Sequence, residues 1–65
     1  MYLEIGKSYI KKFYNGDLAA AVKKKDGILW DEKRIKAAFN NGNGTQKDLK
    51  RYIKHNKKYA YFVEV

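Results

Sequence analysis

Thr45-Gln-Lys-Asp-Leu-Lys-Arg-Tyr-Ile-Lys-His-Asn-Lys-Lys58 is the stretch on which the reading of this chain turns. Leu49, Tyr52 and Ile53 recur at i, i+3 and i+4, the spacing that gathers side chains on one helical face. Lys47, Arg51, Lys54 and Lys58 follow at i, i+4, i+7 and i+11 on the opposite side, with Lys50 and Lys57 at its border. The pattern predicts a helix over 46–57, apolar inward and cationic outward. Thr45 is suited to be its N-cap, and Asp48 at N3 imitates a capping box, a place more often held by Glu or Gln.

Downstream the period changes from helical to two-fold. Tyr59, Tyr61, Val63 and Val65 alternate with Ala60, Phe62 and Glu64, which predicts a strand. Both of its sides are partly apolar, so the expectation is a central strand, with Tyr59 and Tyr61 in the core or on a sheet face and, as the alternative, serving as stacking platforms for single-stranded bases. The N-terminal run Tyr2–Ile5 is its natural partner. Upstream, the glycines of Asn40-Asn-Gly-Asn-Gly44 are expected to supply left-handed residues that end a preceding helix. That helix begins after Asp31, a good N-cap, with Trp30 and Ile35 spaced as a hydrophobic staple and Ile35, Ala38 and Phe39 as its apolar stripe. Ile28-Leu-Trp30 is too short to classify by periodicity and is assigned to the core.

The first half supports two readings. Gly6-Lys7 can form a two-residue turn that returns Ser8–Tyr14 as a second strand, and Asn15-Gly16 and Asp26-Gly27 are further hairpin dipeptides. Against this meander, Asp17–Lys25 carries three consecutive alanines, an N-cap aspartate, C-terminal lysines and Gly27 just beyond, the marks of a short helix. Residues 8–25 therefore stay open between hairpin and helix. The order strand, helices, strand implies an α+β fold: a small antiparallel sheet including the N-terminal and C-terminal strands, packed by two or three short helices. The expected core is Leu3, Ile5, Ile10, Phe13, Leu18, Val22, Trp30, Ile35, Phe39, Leu49, Tyr52, Ile53, Phe62 and Val63.

At 65 residues the chain has room for one small basic domain over 1–65, with a thin core that dimerisation would help. Fifteen Lys and Arg against seven Asp and Glu leave +8, a field that favours polyanions or acidic protein surfaces. With no cysteine there is no disulfide framework, thiolate metal site or cysteine nucleophile. No apolar run suits membrane insertion, and the opening residues lack the order of a signal peptide, so the expected compartment is the cytoplasm.

Chemistry-bearing motifs are few. Gly6-Lys7-Ser8 ends like a P-loop, but Met1 stands where that motif needs its first glycine. His55 is the only histidine, too little for a metal site or a catalytic triad with Ser8 or Thr45. Asp26, Asp31 and Glu32 fit turn and capping roles better than a carboxylate site. The expectation is a non-enzymatic module with no cofactor, binding nucleic acid (DNA or RNA) by phosphate contacts from Lys47, Lys50, Arg51, Lys54 and Lys58. An acidic protein surface is the alternative partner, and a solvated helix face explains the same row with no partner. Residues 31–56 partly fit a helix-turn-helix pair, though the excess of Lys over Arg suits charge better than bidentate base reading. Lys23, Lys24 and Lys25 read as a solvated helix end.

Overall fold

The computed structural model describes residues 1–65. Strand β1 (Tyr2–Gly6) runs directly into helix α1 (Lys7–Phe13), followed by α2 (Leu18–Lys23), β2 (Ile28–Trp30), α3 (Glu32–Ala38), α4 (Gln46–Asn56) and β3 (Ala60–Glu64). The sheet is antiparallel in the order β2-β1-β3, so the two terminal strands pair as expected, with Leu3 opposite Val63 and Gly6 opposite Ala60. The α+β class and the terminal-strand sheet stand as read from sequence.

Period-two alternation sends Leu3 and Ile5 to one face of the sheet, and Tyr2 and Glu4 to the other. On the first face Leu3, Ile5, Ile10 and Ala21 close an aliphatic core, with Tyr14, Leu18 and Val22 packed against it. On the second, Trp30, Ile35 and Leu49 form a core joined by Tyr2, Phe39, Tyr52 and Ile53. The molecule is thus three-layered: α1 and α2 cover one face, α3 and α4 the other.

Several expectations change. Ser8–Tyr14 is no strand: Gly6 ends β1 in a ladder pair with Ala60, the Lys7 amide donates to the Tyr59 carbonyl, and α1 starts at once. Its seven residues bury only Ile10, so no periodicity was there to read. Phe13 is exposed at 61% rather than buried, because α1 presents a single residue to the sheet. Asn15-Gly16 does adopt the left-handed pair of angles that suggested a hairpin, yet it links two helices. Strand β3 lies at an edge, since β2 takes the other side of β1. β2 itself is a three-residue edge strand, and Ile28 and Leu29 are exposed where only Trp30 is buried. Ala21 and Ala60 join the core instead, small residues that let backbone approach backbone.

The turns also divide their labour differently from expectation. After α3 the left-handed residues are Asn40, Asn41 and Gly42, whereas Gly44 is required because a Cβ there would collide with the Ile35 carbonyl. After α2 it is Lys25 that takes φ 52, and the amides of Lys25 and Asp26 bond back to the Val22 and Ala21 carbonyls as in a Schellman end. Gly27 instead lets β2 approach β1, since its Cβ would press on the Glu4 carbonyl and on Ile5 Cγ1 at 2.7 Å.

Candidate functional site

Helix α4 is built as its sequence foretells. The Thr45 amide donates to Asp48 Oδ2 at 2.8 Å and the Thr45 hydroxyl to the same oxygen at 3.1 Å, so Asp48 closes the first turn. Leu49 is buried, Tyr52, Ile53 and Asn56 are half-buried, and the Asn56 amide donates to the Tyr52 carbonyl at 2.8 Å. Lys47, Lys50, Arg51 and Lys54 all lie exposed on the side away from that stripe. Lys58 sits beyond the last helical turn, where its ammonium lies 5.9 Å from the Tyr59 ring centroid. Four of the five residues thus share the outer face of α4, and Lys58 lies in the turn that follows.

The acids explain why the cations stay free. Asp17 accepts the Ala20 amide and Asp31 the Arg34 amide at their helix starts, and Asp48 closes α4. Asp26 Oδ2 accepts hydroxyls from both Tyr9 and Tyr14, each at 2.6 Å. Glu4 accepts the Trp30 indole N–H at 2.9 Å and the Tyr52 hydroxyl at 2.9 Å. Five of the seven acids therefore serve neutral donors, and no Lys or Arg side chain donates a hydrogen bond within the fold. Lys33, Arg34 and Lys36 on α3 and Lys57 after α4 extend the positive field on this side of the sheet.

The ring cluster beneath α4 fixes its position. Trp30 stacks on Phe39 with centroids 5.3 Å apart, Tyr52 leans on both, and Phe62 meets Tyr52 edge-on at 5.8 Å. Such pairs constrain relative orientation more than aliphatic contacts do. Burial, and then its bond to Glu4, raises the Tyr52 phenol above its ordinary value. At the other layer the shared proton-acceptor Asp26 pushes Tyr14 up to about 12 and raises Tyr9, while the two hydroxyls hold Asp26 below the usual carboxylate range.

The remaining sequence candidates do not converge. Asp26 holds tyrosines, Asp31 caps α3 and Glu32 is exposed in the first turn of that helix. His55 is exposed in the last turn of α4, in a shallow groove with Asp48, Arg51 and Asn56. The α3–α4 pair shares a core, but a seven-residue connection containing a short 3₁₀ turn separates its helices, longer than the usual helix-turn-helix link. Two features escaped sequence reasoning. Glu4, a charge within the β-prone run Tyr2–Ile5, was the available signal for the first. The exposure of Tyr59 at 68% and of Tyr61 at 37% is the second: neither joins the core, while Tyr61 keeps the sheet-face position that was the other expectation. No helix is long and apolar enough to cross a membrane. Known protein families, curated proteins and solved structures offer no match to the chain.

Proposed function

We propose that this is a non-enzymatic nucleic-acid-binding module that contacts phosphates through Lys47, Lys50, Arg51, Lys54 and Lys58. The observation that carries the reading is the uncommitted cationic face of α4 opposite its buried stripe. Cationic side chains with no acid partner in the fold break no ion pair when they turn to phosphate, and release of condensed counterions supplies the driving force. Lysines dominate, so the contacts track charge and backbone and leave base edges largely unread.

Titration against duplex DNA at several salt concentrations tests this. If about four phosphates are neutralised, log affinity should fall against log salt with a slope near −3.6. A Lys47→Ala/Arg51→Ala/Lys54→Ala variant, which keeps Lys50 and Lys58, should flatten that slope to about −1 to −2 while remaining folded. Undetectable affinity for duplex and single-stranded DNA and RNA at low salt would refute the reading.

A second reading, an interaction or inhibitor module docking on an acidic protein, draws on a different feature. Leu18, Ala19, Val22 and Val63 line an open apolar depression bordered by Lys23, on the face that α1 and α2 cover incompletely. Recovery of one acidic protein from a nuclease-treated extract, lost on Val22→Asp substitution, would favour it over nucleic acid.

A further inference from the structure

We infer that Tyr59 and Tyr61 form a stacking step for the bases of single-stranded nucleic acid, at the end of the α4 cationic row. The inference rests on the phosphate-binding reading above and narrows it to a class of ligand.

The six tyrosines fall into two groups. Tyr9 and Tyr14 donate to Asp26, Tyr52 donates to Glu4, and Tyr2 packs against the aromatic core. Their rings or hydroxyls are committed to the fold. Tyr59 and Tyr61 have no hydroxyl partner and no ring–ring contact, and both are exposed. A tyrosine that is two-thirds exposed at the junction of a helix and a strand contributes little to burial. Its ring is open to another partner, and a base offers a matching flat apolar face.

Each ring also carries a cation. Lys58 lies 5.9 Å from the Tyr59 centroid and Lys7 lies 5.3 Å from that of Tyr61. At an exposed site such a contact is weaker than base stacking, so a base can displace the ammonium from the ring. The freed ammonium is then available to a phosphate of the same ligand. The Lys7 amide bonded to the Tyr59 carbonyl holds the start of α1 against this step, and because Tyr61 pairs with Ile5 on the α1/α2 face, an unpaired strand that follows α4 reaches it by passing the β3 edge. Phosphate contacts along α4 followed by stacking at β3 match the combination of a cationic track and aromatic platforms by which unpaired strands are held. A duplex keeps its bases stacked inside and can use the track alone.

Fluorescence anisotropy with a labelled 15-nucleotide oligothymidylate and a 15-base-pair duplex separates the two ideas. The intact protein should bind the single strand more tightly than the duplex at equal salt. Tyr59→Ala should weaken the single strand about ten-fold and leave duplex affinity unchanged, with Tyr59→Phe close to the original. Phe13→Ala removes an equally exposed ring, packed on Tyr9 beside Asp26, and should change neither affinity. Circular dichroism checks that Tyr59→Ala stays folded, as a solvent-facing position allows. If Tyr59→Ala shifts both ligands equally or neither, the stacking step is overturned while the phosphate reading stands. If the intact protein binds neither ligand at low salt, both fall together.

Discussion

The two layers that flank the sheet solve the same problem with different materials. Beneath α1 and α2 the core is aliphatic and small, Leu3, Ile5, Ile10 and Ala21, and each helix offers it one buried residue. Beneath α3 and α4 it is a set of rings around Trp30, with Glu4 at its margin holding Trp30 and Tyr52 by hydrogen bonds. The first layer places its own two-donor carboxylate, Asp26, at the periphery, where it ties α1 to the loop before β2. The difference teaches where rigidity resides. The ring-packed layer carries the longest helix and most of the candidate site, while the aliphatic layer chiefly completes the burial of β1.

That contrast is open to direct attack, starting with the cores. Leu49→Ala should cost about 4 to 5 kcal/mol, near the top of the range for large-to-small core changes, because interlocked rings cannot close the cavity. Ile10→Ala should cost about 2 to 3 kcal/mol, since a seven-residue helix can shift to fill the space. Urea denaturation of both measures this, and equal costs would break the comparison. With total stabilities of about 3 to 10 kcal/mol expected for a chain of this size, Leu49→Ala should remove about half or more of the total.

Next in size is Glu4→Ala, which strands the Trp30 and Tyr52 donors in a half-buried site and should cost about 1 to 3 kcal/mol. Trp30 emission should shift to the red as water reaches the indole. An unchanged spectrum would mean that the rings alone hold the layer.

The Asp26 latch should show itself through pH. The Asp26 carboxyl is held below its ordinary 3.8, so its contribution is present above that pH and is lost as pH falls through the lower folded value. The Tyr14 phenol is raised from 10.0 to about 12, so its contribution is full below pH 10 and is lost as pH rises towards 12. The difference in urea midpoint between the original protein and Asp26→Ala should therefore be flat from about pH 5 to 9 and shrink at either end. Absorbance titration at alkaline pH should show late phenolate transitions, and Tyr14→Phe should abolish the one near about 12.

The smallest effect on stability belongs to the functional face. Each of Lys47→Ala, Arg51→Ala and Lys54→Ala should change stability by no more than about 0.5 kcal/mol, since none of these side chains bonds within the fold. A larger loss would mean that the row supports the ring layer and is not spare surface.

Much of α4 was legible because every signal agreed: Thr45 and Asp48 at the start, Leu49, Tyr52 and Ile53 on one stripe, cations on the other side. The Asp17 and Asp31 caps were legible for the same local reason. Helix α1 was not, because Ser8–Tyr14 mixes Tyr, Ile and Phe with lysines in no clean period, and burial of Ile10 alone imposes none. The site was half legible. The cations could be placed on one face from their spacing, whereas the exposure of Tyr59 and Tyr61 depends on which strand lies at the edge.

Periodicity and capping by themselves determined where α3, α4 and the two terminal strands lie, with the sign and side of the charge, and gave α2 its cap while leaving its stretch open. Those are properties of a segment and its nearest neighbours along the chain. Only the assembled structure decided strand order, the covering of two sheet faces, and the acids' commitment to Trp and Tyr. These depend on residues such as Glu4 and Tyr52, 48 positions apart, meeting across a layer. Pairing at that separation is chosen by the free energy of the whole packed arrangement, which no short window of sequence contains.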